Sequence, residues 1–185
     1  MSDLGGCMLE KTLLAAERDK KTTDEARDLI VDLPHGASFY ETFRHNDARG
    51  SVTELFDPRW EWHSDPLVFS YIFTIRPKMV KGWGLHKIHE DRYFVVRGEL
   101  ELVMYDVRPD SPTYNKISKV YLSASRPRLF NVPRFVWHAD RNIGQEELMV
   151  INFPTIQYDH NNPDKYRLPL KTDLIPYDFG DVDGW

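Results

Sequence analysis

The stretch from Val80 to Asp106 constrains the fold more than any other. Gly82 and Gly84 let the backbone bend or approach a neighbour closely. His86, His89, Glu90 and Asp91 follow, then the β-rich run Tyr93–Val96, a turn at Arg97–Gly98 and a second run from Glu99 to Tyr105. In that second run Leu100, Leu102 and Met104 fall on one face and Glu99, Glu101 and Val103 on the other. This is mostly the period-2 pattern of a half-buried strand. The stretch therefore reads as a β-hairpin with imidazoles and carboxylates at its entrance. Asn131–His138, with Asn142 four residues on, answers it. Two strand-turn-strand units, each presenting a histidine, read as two halves of one barrel pocket.

The rest of the chain agrees with an all-β reading. Strands are expected at Phe39–Phe43, Val52–Phe56, Leu67–Ile75, Val120–Leu122, Arg128–Val132 and Leu148–Phe153, separated by Gly- and Pro-rich turns. Before residue 32 the pattern changes. Met8, Leu9, Leu13, Leu14, Leu29 and Ile30 lie among charges, and Thr22 or Thr23 is a candidate N-cap, so one or two short helices outside the barrel are expected. The expected organisation is an N-terminal helical extension over residues 1–37 and a barrel domain over residues 38–185, with the tail from Asp159 wrapping the barrel.

Composition narrows the function classes. At 185 residues and 41% apolar content the chain can bury a sizeable core. The net charge of −5 gives no electrostatic footprint for nucleic acid or an anionic membrane. The single cysteine, Cys7, makes an intrachain disulfide impossible, and no apolar run approaches membrane-spanning length. A cytoplasmic protein is the expectation.

The two histidine units resemble the two cupin motifs, and the chain as a whole resembles the dTDP-4-dehydrorhamnose 3,5-epimerase family over roughly residues 32–179. The segments that carry the resemblance are Asp47-Ala48-Arg49-Gly50 with Glu54, Gly84-Leu85-His86, Val95–Glu99, Asp106-Val107-Arg108 with Ser111-Pro112-Thr113, Leu122-Ser123, Val132-Pro133 and His138. The resemblance implies a cupin-type double-stranded β-helix, a jelly-roll barrel. It also implies a homodimer, with the strands near 39–56 at the interface, and a nucleotide-linked keto-sugar as substrate. Epimerisation next to a ketone needs a base for a carbon-bound proton, a group that stabilises the enolate and an acid that returns the proton. The resemblance places the base at His86, an orienting aspartate at Asp173 and a second pocket histidine at His138. It places Arg49, Glu54, Tyr71 and Trp83 around the substrate, with Arg49 suited to phosphate oxygens by its guanidinium geometry, and Lys87, beside His86, is a further candidate for substrate binding. No cofactor is implied.

The departures from the family pattern are as informative. The lysine that stabilises the enolate falls on Asp91, and the catalytic tyrosine falls near Asn152. Trp83 stands for an arginine, and Tyr71 and Phe73 stand for a glutamine and an asparagine. Tyr93, two residues from Asp91 on the same strand face, is a substitute acid. Lys87 or Arg92 could supply positive charge. These changes favour a different sugar or a single-centre reaction over double epimerisation. They also open two alternatives. One is a metal-dependent oxygenase or isomerase with His86, Asp91 and His138 holding Fe, Mn or Zn. In it His89 is a weaker fourth ligand because an i,i+3 spacing leaves His86's strand face, and Asp91 as a solvated turn residue is the competing reading. The other is a sugar-binding cupin without catalysis.

Overall fold

The alternating runs become twelve strands in the computed structural model, which describes residues 7–25 and 30–184. They are β1 (Ser38–Glu41), β2 (Arg44–Asp47), β3 (Gly50–Thr53), β4 (Tyr71–Ile75), β5 (Val80–Leu85), β6 (Asp91–Arg97), β7 (Glu99–Asp106), β8 (Ile117–Ser123), β9 (Arg128–Val132), β10 (Val136–Asn142), β11 (Leu148–Asn152) and β12 (Tyr166–Arg167). One five-stranded antiparallel sheet runs β1-β9-β6-β11-β4 and the other β12-β5-β10-β7-β8. This is the all-β jelly roll expected from the sequence. The strand expected from Leu67 begins only at Tyr71, because Pro66 and the loop before it carry no ladder.

The chain divides into two compact units, residues 1–30 and 31–185. In the first, α1 (Met8–Ala15) is fully exposed, and Glu10 reaches back to accept from the Cys7 amide at 3.0 Å. A second helix expected from Thr23 does not start within the described residues: Thr23 lies in a bridge and Glu25 in a turn, and residues 26–29 are outside them. Among the described residues, no helix is long and apolar enough to cross a membrane.

Inside the barrel, Leu100, Leu102 and Met104 of β7 pack with Val95, Val120, Phe130 and Leu148. Each such fully buried side chain contributes roughly 1.5–3 kcal/mol. The other face of β7 is not solvated as the alternation suggested. Val103 and Tyr105 lie under Ile175 and Phe179 of the C-terminal tail, so β7 is buried on both faces. The β6–β7 turn needs Gly98, whose φ is +84° and whose missing Cβ would stand 3.1 Å from Leu148 Cα.

One irregularity positions the site. His138 pairs with Gly84 but Asp140 pairs with Lys81, so β5 carries an extra residue opposite Ala139. Such a bulge shifts which face later side chains point to. Val80 and Trp83 enter the cluster under the tail, while Lys81, Gly82 and Gly84 line a cavity. Glycine at position 82 is obligatory, since a Cβ there would lie 2.4 Å from Ala139 Cβ.

Candidate active site

Asp91 is the centre of the site. It opens β6, is 2% exposed, and faces three imidazoles. Its Oδ2 lies 3.2 Å from His86 Nε2 and 3.6 Å from His138 Nε2, and its Oδ1 lies 3.5 Å from His89 Nε2. Asn152 of β11 donates to Oδ1 at 2.6 Å, and its amide also reaches the Tyr71 hydroxyl at 2.9 Å. The reading of Asp91 as a solvated turn residue is therefore corrected: backbone pairing with Val132 draws it inside the barrel. His89 also departs from expectation. The chain leaves β5 before His86, so strand alternation no longer applies, and the two rings stand 4.0 Å apart.

The segment 86–90 is held by the tail. The Asp164 carboxylate accepts from the backbone amides of Lys87, Ile88 and His89 at 3.0, 2.8 and 3.2 Å, and stands 2.9 Å from His89 Nδ1. The Asp164 carbonyl accepts from His86 Nδ1. That contact fixes the ring with Nε2 directed at Asp91, out of line for a hydrogen bond but close enough for an ion pair. His138 is fixed similarly through Nδ1 and the Val136 carbonyl at 3.2 Å.

The electrostatics separate these groups. Burial works against a charged His86, but Asp91 beside it and the Asp164 carbonyl outweigh this and raise its pKa above the ordinary imidazole value. Burial alone would lift Asp91, yet His86, His89 and His138 hold it well below the usual carboxylate range. Burial pushes His138 down to about 3, helped by the charges of His86 and Lys165, so this ring stays neutral. Burial and the Asp91 charge raise Asp140 to about 7 against the opposing charges of Lys165 and Lys81. The Tyr93 hydroxyl lies between Asp91 Oδ2 at 3.4 Å and Asp140 Oδ2 at 3.5 Å, and burial with both carboxylates raises it well above its usual value.

Two cavities meet here. One, of about 400 Å³, is lined by Tyr93, His138, Asp140, Lys81, Lys165 and Arg167. The other, of about 220 Å³, is lined by His86, His89 and Asp164 with Ile156 and Tyr158. Tyr71 and Lys165 line both.

Of the residues expected from sequence, His86, His138, Tyr93, Tyr71 and Asp91 come together. Trp83 does not: it is fully buried against Tyr177 and Phe179, on the face of β5 turned to the tail. Asp173 is exposed in the tail beside Lys171 and Tyr177, and the Asp164 carbonyl takes the His86 nitrogen expected to face it. Arg49 is exposed at the tip of the β2–β3 hairpin and paired with Asp47, and Glu54 is exposed after β3. Lys87 points outward over the Tyr166 ring. Arg92 is fully buried but donates to the carbonyls of Phe153, Asp65 and Pro66, away from the cavities. Asp140, Asn152, Asp164 and Lys165 were not singled out from sequence as site residues in these positions. For Asp140 a signal existed, its period-2 spacing from His138. For the tail residues none did.

This jelly roll with a histidine–carboxylate cluster in its barrel has the fold of the dTDP-sugar isomerases and epimerases. A dTDP sugar isomerase from Desulfovibrio desulfuricans has the same fold, with a TM-score of 0.75 at 24% identity over 84% of this chain and 98% of that one. The chain belongs to the polysaccharide biosynthesis C-terminal domain family, which it matches over residues 45–166. A probable low-salt glycan biosynthesis epimerase of Haloferax volcanii is 34% identical over 66% of this chain and 80% of its own length. A spore coat polysaccharide biosynthesis protein of Bacillus subtilis is 28% identical over 78% of this chain and 95% of its own.

Proposed function

We propose that this protein is an epimerase or isomerase of a nucleotide-linked keto-sugar, acting by proton abstraction beside the carbonyl. The observation that carries the reading is the buried Asp91 with His86 set against it. A base is as strong as its conjugate acid is stable. His86 is the ring whose protonated form is favoured, while burial holds His138 neutral. With Nδ1 donated to the Asp164 carbonyl, the neutral His86 carries its lone pair on Nε2, and Asp91 stabilises the imidazolium formed when that nitrogen takes a proton. Tyr93 and Asp140 line the other cavity, across Tyr71 and Lys165, and are the donors for return of a proton to the opposite face. The names of the glycan biosynthesis relative and the dTDP-sugar fold neighbour support this substrate class. The test is incubation with a panel of nucleotide-linked keto-sugars in D2O, followed by NMR. Deuterium uptake next to the ketone is expected, and its absence across the panel refutes the reading.

The protein would act as a homodimer. The β2–β3 hairpin is exposed along nearly its whole length, with Val52 and the preceding Phe43 open to solvent. An isolated two-stranded hairpin is marginally stable, and docking on a second copy would bring Arg49 to a partner's site. Light scattering at micromolar concentration should give twice the monomer mass.

A second reading has its own observation. Ligand atoms of His86, Asp91 and His138 lie within 4.8 Å of one another, as do those of His86, His89 and Asp164. Two imidazoles and a carboxylate suit Fe, Mn or Zn. Metal analysis of purified protein, and exchange assays after chelation, distinguish this reading: a bound stoichiometric ion whose removal stops exchange would favour it.

A further inference from the structure

Removing a proton beside a ketone leaves negative charge on the carbonyl oxygen, and that charge needs a cation or hydrogen-bond donor facing it. The strand β6 does not supply one. Its inward positions nearest the histidines are Asp91 and Tyr93, and Arg92 is spent on backbone carbonyls outside the cavities. Lys87 points outward. The cations lining the 400 Å³ cavity are Lys81, Lys165 and Arg167.

Lys165 has the right position among them. It is the one of these three that lines both cavities, and so faces His86 on one side and His138, Tyr93 and Asp140 on the other. It passes over Gly84: a Cβ built there would lie 3.5 Å from Lys165 Cε, 3.7 Å from Nζ and 3.5 Å from His138 Nε2. The absent side chain leaves room for a substrate atom between the ammonium and the histidine. No hydrogen bond or ion pair within the described residues occupies the Lys165 ammonium, whereas Lys81 lies over the Phe73 ring. Its charge is felt at His86, His138 and Asp140 together. Its backbone is fixed on both sides, by the Asp164 tether and by β12, where Tyr166 pairs with Leu85 and Arg167 with Gly84.

We propose that Lys165 is a catalytic cation that binds the ketone oxygen and stabilises the enolate. The inference rests on the proton-abstraction reading above. In the step, His86 takes the proton from the carbon beside the ketone. The C–H electron pair becomes the enolate double bond, and the carbonyl π pair moves to the oxygen facing Lys165. Reprotonation at carbon reverses the electron flow, so no oxidant or reductant is consumed. The segment after the barrel thus brings a reacting group to the site.

The test compares Lys165→Met and Lys165→Arg with the wild type in two assays: deuterium uptake into a dTDP-linked 4-keto-6-deoxy sugar at saturation, and calorimetric binding of dTDP alone. Lys165→Met should lower exchange about 10²–10³-fold, the usual consequence of losing one oxyanion donor, with dTDP affinity changed less than about threefold. Lys165→Arg, which keeps the charge, should fall between the two. Lys165→Met exchanging at the wild-type rate would overturn the proposal, as would a loss of dTDP affinity with turnover at saturation intact, which would make Lys165 a diphosphate anchor. A wild type that exchanges no keto-sugar would overturn the proton-abstraction reading itself, a result distinct from an active wild type indifferent to Lys165. Thermal melts of both variants should match the wild type, since the Lys165 side chain is solvent-accessible.

Discussion

Replacing Asp164 by alanine tests whether the tail holds the histidine-bearing segment 86–90 in place. The carboxylate accepts three backbone amides of residues 87–89 at 2.8–3.2 Å and stands 2.9 Å from His89 Nδ1, with its own side chain 6% exposed. Hydrogen bonds to a charged group are worth about 1.5–3 kcal/mol each, but Lys87 and Ile88 are exposed and their amides regain water, so a loss of about 2–4 kcal/mol is expected. For a chain of this size that lowers Tm by about 4–16 °C. Exchange should fall further than stability implies, because the backbone carbonyl that orients His86 belongs to the same residue. A displacement of about 1 Å costs on the order of 10²-fold, while dTDP affinity should hold. Burial opposes ionisation of Asp164, but the three amides outweigh it and depress its pKa. The stabilisation it gives is therefore complete above the unfolded carboxylate value, about 3.9, and is lost as pH falls through the lower folded value. Urea melts from pH 7 downward should show this acid loss in the wild type and not in Asp164→Ala. A variant within about 0.5 kcal/mol of wild type, or one with undiminished exchange, would refute the reasoning.

His86→Asn should lower deuterium exchange about 10²–10⁴-fold with ligand affinity retained, as expected of a general base. In the pH–rate profile, the acid limb of the wild type should lie above the ordinary imidazole value and move down in Asp91→Asn, since Asp91 is what favours protonated His86. Asp106→Ala should cost about 3–5 kcal/mol in urea melts: its buried carboxylate accepts from the Arg108 guanidinium, Ser111 Oγ and Thr113 Oγ1 at 2.6–2.8 Å and anchors the β7–β8 connection. Gly82→Ala should cost at least about 3 kcal/mol by overpacking, read by thermal melting, because its methyl carbon would meet Ala139 Cβ at 2.4 Å.

What the sequence showed well was local. Alternation and turn residues located the β6–β7 hairpin, and the paired histidine units brought His86 and His138 to one interior, where their rings lie 5.5 Å apart. Two expectations are corrected for different reasons. The resemblance puts Trp83 at the substrate, but as the strand neighbour of cavity-lining Gly84 it points to the opposite face, beneath the tail. The i,i+3 spacing makes His89 a weaker ligand only if the segment is a strand, and residues 86–90 are not in one.

The remaining gaps share a different cause, which is sequence distance. Asp91 looks like the acidic end of a turn until Asn152, 61 residues on, donates to it and closes the cluster around it. Asp164 and Lys165 sit in a Pro-, Asn- and Asp-rich tail with no periodicity, and Asp164 meets His86 across 78 residues. No local pattern can report such contacts, because they depend on where a tail crosses the finished barrel. The resemblance to the epimerases directed attention to Asp173 in that tail, yet the backbone of Asp164 takes the matching nitrogen of His86. The resemblance implies a lysine where Asp91 stands, and the structure gives that difference a physical sense. A carboxylate at the barrel's centre pairs with the histidines, and the positive charge enters instead from the tail at Lys165, on the cavity side of His138. With His86 as the proposed base and Lys165 as the proposed cation, the ketone is expected to sit at a different angle, so the exchanged carbon found by NMR should report where Lys165, rather than β6, places the oxygen.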